Sequence, residues 1–272
     1  MTRSADKAGQ FLALHQGPSP LLMPNPWDPG SARLLASLGF EALATTSSGF
    51  AATLGQLDGS VTREQTLIHA AAIVDATNLP VSADLEHGFA DDPDGVAQCM
   101  ALALEAGLAG CSVEDSTGRP DAPIYDRARA RDRIAAAAEA AHRGPTTMVL
   151  TARAENHLHG RDDLADTIAR LQAYQEAGAD VLYAPGLTSL GDIGRLVASV
   201  DRPVNVIARP GAPTVAELSS VGVRRISVGG AFAFAALGAV VEAARELRDD
   251  GTYGYLDLSG PGGRAARAAF GT

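Results

Sequence analysis

The sequence is short of most features that mark a specialised scaffold. It has two cysteines, Cys99 and Cys111, among 272 residues. That excludes a disulfide framework or a four-cysteine zinc site and fits a reducing compartment. No apolar run approaches the roughly 18 residues of a membrane span, and Met1–Gln10 is polar, unlike a secretory signal. The expectation is a cytoplasmic protein with no membrane partner. Basic residues are outnumbered 22 to 32, for a formal net charge of −10, which argues against nucleic acid as a partner. Aromatic residues make up 5%, too few for a base-stacking surface. Lysine is nearly missing: Lys7 is the only one, so no strand end offers an amine for a Schiff base.

What is present is alternation. Apolar residues make up 46% of the chain, enough for a large core. Short β-branched or apolar runs predict strands at Leu21–Pro24, Ala42–Thr45, Pro80–Asp84, Gly110–Glu114, Thr147–Arg153, Val181–Ala184, Pro203–Ile207 and Arg225–Val228. Helical spacing fills the gaps at Ser31–Leu38, Arg63–Thr77, Pro93–Ala106, Tyr125–Ala141, Asp162–Ala177, Leu190–Val200, Thr214–Val221 and Phe232–Asp249. Glycines at 39, 107, 178 and 222 close four of these helices just before a strand, the short connection of a barrel. Asp92-Pro93 reads as a cap followed by proline at the first helical position. Eight strands each followed by a helix predict a (β/α)8 TIM barrel over residues 1–272, with 232–272 as a C-terminal helical extension. A doubly wound open sheet would want a glycine-rich turn after the first strand; Pro24-Asn25-Pro26-Trp27-Asp28-Pro29 stands there instead.

Barrel chemistry sits at the carboxyl ends of the strands. Strand three ends Asp84-Leu85-Glu86-His87-Gly88, strand four ends Glu114-Asp115, and strand five ends Arg153-Ala154-Glu155. Asp84 and Glu86 are two apart, so extended backbone would point them to one side. Three carboxylates at one mouth repel each other unless a cation holds them, and oxygen donors suit Mg2+ or Mn2+. Arg153 could neutralise an anionic substrate with its planar fork of donors. Other motifs compete. Val228-Gly229-Gly230-Ala231 after strand eight could cradle a phosphate, although the preceding loop, Ala208-Arg209-Pro210-Gly211-Ala212-Pro213, gives up N–H donors to proline. His157-Leu158-His159 reads as a solvated loop, and His15, His69 and His142 read as structural.

Asp84-Leu85-Glu86-His87-Gly88-Phe89, Val113-Glu114-Asp115 and Ala152-Arg153-Ala154-Glu155 together resemble the isocitrate lyase/phosphoenolpyruvate mutase superfamily. Pro24–Ala32, Thr45–Gly59, Tyr183–Leu187 and Pro203–Val206 fit the same ordered pattern, which runs from about residue 20 to 240. The resemblance implies a Mg2+-dependent barrel acting next to the carbonyl of a small 2-oxo di- or tricarboxylate. It also implies a homotetramer or dimer with the C-terminal helical segment exchanged between subunits. It assigns Asp84, Glu86 and Glu114 to the metal. It assigns Thr45, Thr46, Ser47, Ser48 and Gly49, with Arg153, to the substrate carboxylate, and places Asp58 near both.

The sequence departs from that pattern in three places. Glu86 stands where a second aspartate is usual, and His87 replaces a small polar residue. The loop Ser116–Pro123 after strand four has none of the lysine, cysteine or asparagine that carry the family's acid. Cys111 lies inside strand four and reads as a buried hydrophobe. The enolate of a decarboxylation could then be protonated by water, and for C–C cleavage by another acid Tyr125, His87 and His157 are the candidates. The resulting expectation is a lyase cleaving a C–C bond beside the carbonyl or hydroxyl of an oxaloacetate- or methylisocitrate-like acid. Its enolate would be stabilised by the cation and by Arg153. The alternatives are a phosphonopyruvate-type P–C enzyme and a barrel that binds a 2-oxo acid such as 2-oxoglutarate without turnover.

Overall fold

A computed structural model describes residues 2–143 and 147–271. Eight short strands form one parallel sheet: β1 (Leu21–Met23), β2 (Leu43–Ala44), β3 (Val81–Asp84), β4 (Gly110–Glu114), β5 (Val149–Arg153), β6 (Val181–Tyr183), β7 (Val204–Ile207) and β8 (Arg225–Ser227). Their order, β1-β8-β7-β6-β5-β4-β3-β2, is that of a (β/α)8 barrel. At the seam between β1 and β2 no ladder forms; Ala44 N–H donates to Pro24 O at 3.1 Å. There the Asn25 amide adds a side-chain link, donating to Thr45 O at 2.9 Å.

The predicted helices appear as α2 (Pro29–Ser37), α4 (Arg63–Ala76), α5 (Pro93–Glu105), α6 (Arg127–His142), α7 (Leu164–Glu176), α8 (Leu190–Ala198), α9 (Val215–Ser220) and α10 (Ala231–Arg245), the last running into a π turn over Glu246–Asp250. Gly39, Gly107, Gly178 and Gly222 all adopt positive φ, the left-handed cap that only glycine adopts without strain. Asp92 accepts from Gly95 N–H at 2.8 Å, and Pro93 opens α5. Two helices escape the sequence reading: α1 (Thr2–Leu14) and α3 (Ser47–Thr53). The tail forms α11 (Leu256–Phe270), longer than the Gly263–Phe270 stretch expected and continuing through Pro261.

Two cores hold the barrel. Outward residues such as Leu43, Val81, Val113, Leu150 and Ile226 meet Ile73, Met100, Ile134 and Leu171 on the helices. Cys111 lies in this layer with its thiol against Met100 Sδ. Inside the barrel, the floor is a second cluster of Leu21, Met23, Val149 and Val181, plugged from below by Phe11 of α1. Phe11 is fully buried, which contributes about 2–3 kcal/mol. The fit is close: a Cβ at Gly110 would stand 2.6 Å from the Phe11 ring.

The outer coat is incomplete. Among the residues of α10 only Ala233 is buried, and Phe234, Leu237, Val240 and Val241 are exposed. The outward Leu22 of β1 is 41% exposed, where an eighth helix would normally cover it. Within this chain α11 packs on α2, with the Phe270 ring beside Gly30.

Candidate active site

Strand parity sorts the inward residues by height. Along β5 they run Val149, Thr151, Arg153, from the apolar floor through a hydroxyl to a charge. Ser82 and Asp84 on β3, with Ser112 on β4, add polar side chains around a cavity of about 180 Å³. Above it opens a wider mouth of about 510 Å³, lined by Asp58, Glu86, His87, Glu114 and His159 among others. Asp84 and Arg153 line both.

Arg153 organises the acids. Its Nη1 donates to Asp84 Oδ1 at 3.1 Å, its Nη2 to Glu114 Oε2 at 3.0 Å and its Nε to Glu155 Oε1 at 2.9 Å. The guanidinium also lies over the Tyr183 ring at 5.2 Å. Burial opposes its charge, but Glu155, Glu114 and Asp84 outweigh burial and hold its pKa well above the usual value. Burial pushes the Glu114 and Glu155 carboxyls up, against the pull of Arg153.

Glu86 is different, because it has no cation of its own. Its Oε1 is buried without a hydrogen-bond partner. Burial, then Asp84 and Asp58, push its pKa up to about 7. The expectation from extended backbone fails here. β3 ends at Asp84, and Glu86 sits at φ 48°, in the left-handed region that non-glycine residues rarely adopt. The turn nevertheless brings Glu86 to the mouth beside Asp84. Phe89 shares the strain at φ 54°, a cost of order 1–3 kcal/mol per residue that surrounding structure must offset.

Arg133 of α6 supplies that restraint. It is fully buried and donates to His87 O, to Ala90 O at 2.9 Å and to Glu114 O at 3.3 Å. Tyr125 stacks on it at 4.3 Å, and the Tyr125 hydroxyl is bonded to Asp91. Tyr125 therefore belongs to the clamp beneath the loop rather than to the cavity lining.

The other expected residues divide in the same way. Thr45, Thr46, Ser47 and Ser48 line the cavity, but they are no open loop: Thr46 caps α3, and its Oγ1 accepts from Gly49 N–H at 3.3 Å. Thr45 Oγ1 accepts from Asp84 N–H at 2.9 Å, tying this segment to β3. Burial, then Arg133, lower the His87 pKa and favour its neutral form. His157 turns inward to Thr167 at 3.1 Å, and it is His159 that reaches the mouth. The competing phosphate cradle is already filled, since Val228 and Gly229 N–H both donate to Asn25 Oδ1 at 2.9 Å. His15 and His69 are buried, and His142 pairs with Asp180 at the surface.

The donor set fits a hard divalent cation in chemistry. Three carboxylates, Asp84, Glu114 and Glu155, pair with one guanidinium, and Glu86 joins them at the mouth with a buried oxygen that has no partner. Among the described residues no three such side chains already converge as a ready cation cage.

The profile of the phosphoenolpyruvate phosphomutase family matches residues 11–248. A Burkholderia cenocepacia structure, provisionally described as a lyase/mutase, is 52% identical with a TM-score of 0.95, covering 98% of this chain and 96% of that one. The oxaloacetate decarboxylase of Chromohalobacter salexigens is 29% identical over 90% of this chain and 86% of its own. The 2-methylisocitrate lyase of Escherichia coli is 30% identical over 71% and 67%.

Proposed function

This chain belongs to the phosphoenolpyruvate phosphomutase family, within the isocitrate lyase/phosphoenolpyruvate mutase superfamily of lyases and mutases, and from that premise we propose that it is a divalent-metal-dependent carbon–carbon lyase. Its substrate would be a small 2-oxo or 2-hydroxy carboxylate, oxaloacetate- or methylisocitrate-like. The observation that carries this reading is the excess of carboxylate over guanidinium at the mouth, with the buried Glu86 oxygen unpartnered.

Asp84, Glu86 and Glu114 would hold Mg2+ or Mn2+, directly or through water. When bound, the ion supplies Lewis acidity toward the 2-oxo oxygen. Thr45–Gly49 would seat the substrate carboxylate with hydroxyl and N–H donors, and Arg153 would offset negative charge as the C–C bond breaks. Asp58 stands at the junction of cavity and mouth. His87, whose neutral form is favoured by burial and then by Arg133, would exchange a proton there; His159 is the second candidate. Oxaloacetate, substituted malates and isocitrates with Mg2+ should give at least one product by NMR. Asp84→Asn should lower that turnover by about 10²-fold or more. If the wild type turns over none of them, the reading is wrong.

One observation favours binding without turnover: Ser116–Pro123 brings no lysine, cysteine or asparagine to the mouth. Saturable binding of 2-oxo acids without product would support that second reading.

We also propose a homodimer or tetramer. Phe234, Leu237, Val240 and Val241 of α10, together with Leu22 of β1, form apolar surface that a second copy would cover. Light scattering tests this, with a monomer as the contrary result.

A further inference from the structure

The floor of the cavity holds a second guanidinium that the proposed chemistry does not use. Arg225 is 2% exposed and points inward from β8. Its Nε donates to Asn205 Oδ1 at 2.9 Å and its Nη2 to Thr151 Oγ1 at 3.0 Å, while Nη1 lies 3.4 Å from His15 Nε2. All three partners are neutral. His15 is held so because burial, then Arg225 itself, lower its pKa to about 4. Among the described residues no carboxylate is within ion-pair distance of Arg225. A buried charge without a counter-charge is strongly unfavourable, and burial accordingly lowers the Arg225 pKa to about 9.

A purely structural role accounts poorly for this. Arg133 is also buried without a carboxylate, but three backbone carbonyls and the Tyr125 ring enclose it, away from the cavity. Arg225 lines the cavity, and two of its five N–H donors have no protein partner in the contacts above. Next to it, Asn205 Nδ2 donates to Ser227 Oγ at 3.1 Å. Ser227 accepts that bond and lines the cavity, so its O–H remains able to donate to a ligand there.

We propose that Arg225 and Ser227 form an anion subsite on the cavity floor that takes the second carboxylate of a small dicarboxylic 2-oxo acid. Two guanidinium N–H groups and one hydroxyl match the oxygens of one carboxylate. The anion supplies the counter-charge that the fold omits. A cavity of about 180 Å³ suits the carboxylate end of a small acid. The inference rests on the proposed function for the position of the substrate's 2-oxo end at the mouth.

The test is calorimetric binding of pyruvate, oxaloacetate and 2-oxoglutarate with Mg2+ present, to wild type, Arg225→Met, Arg225→Lys and Ser227→Ala. The wild type should bind at least one diacid about tenfold or more tighter than pyruvate. Arg225→Met should bring that ratio to about one with pyruvate affinity unchanged, and Arg225→Lys should keep part of it. Equal affinity of the wild type for pyruvate and both diacids overturns the proposal, as does equal loss of mono- and diacid binding in Arg225→Met. Should Arg225→Met fail to fold, Ser227→Ala carries the test: a ratio reduced about threefold supports the subsite, and an unchanged ratio overturns it. The preference for diacids can hold with no acid turned over, and turnover can occur without the preference, so the two readings fail separately.

Discussion

Arg153 and Arg225 are buried in the same barrel, yet their surroundings are electrically opposite. Arg153 meets Asp84, Glu114 and Glu155; Arg225 meets an amide, a hydroxyl and a neutral imidazole. The mouth therefore carries a surplus of carboxyl groups over guanidinium, and the floor a guanidinium without a counter-charge. A ligand with a metal-chelating end and a carboxylate end would be oriented by that difference before any shape is read. The formal net charge of −10 describes neither place.

The comparison can be broken most directly at Arg153. Arg153→Met strands three carboxylates and should cost about 3–5 kcal/mol at pH 8. Urea denaturation should show the loss shrinking at pH 5, as Glu114 and Glu155, whose carboxyls burial pushes up, protonate; an equal loss at both values would mean that ion pairing is not the cause. Next in size is His15. The unfolded chain takes up its proton near pH 6.5, while the folded protein does so only at about 4. As pH falls the unfolded state is therefore protonated first. The contribution is complete above about 6.5 and disappears toward 4, amounting to about 3 kcal/mol. Arg225→Met should narrow that window without removing it, because burial is the first cause of the shift and Arg225 the second.

A smaller effect is expected at Arg133, which separates a clamp from a binding group. Arg133→Met should cost about 2 kcal/mol through lost hydrogen bonds to Glu114, His87 and Ala90. Hydrogen exchange should rise locally over residues 85–91. Uniform exchange instead would deny the clamp. Arg225→Met should change ligand-free stability least, within about 1 kcal/mol, since removing an uncompensated charge offsets the lost hydrogen bonds. A loss as large as that of Arg153→Met would erase the contrast.

Much of this was legible in residue order. The eight strands and their helices follow from alternation, and the glycine caps from the left-handed conformation they supply. The acids at three strand ends mark the mouth, since a barrel gains nothing from repelling carboxylates unless something holds them. Other features needed the third dimension. The polar start of the chain hid α1, although Ala8, Phe11 and His15 recur at helical spacing and all are buried. Arg225 opens the predicted strand Arg225–Val228. Its parity with Ser227 placed both inward, but the lack of any acid across the barrel is a fact about neighbours distant in sequence. Tyr125 and His157 are residue types able to give up a proton. The turns that carry them aim both at other partners, Asp91 and Thr167, and bring His159 forward instead.

The single backbone bond from Ala44 to Pro24, backed by the amide of Asn25, makes the barrel a hoop with one soft link. Compliance in such a hoop collects where the fewest bonds cross. That place lies directly below Thr45–Gly49, the segment proposed to seat the substrate. On its other side Thr45 is fixed to β3, its N–H donating to Ser82 O at 2.9 Å and its Oγ1 accepting from Asp84 N–H at 2.9 Å. Any give at the soft link is therefore passed through Thr45 to Asp84, the first of the acids at the mouth.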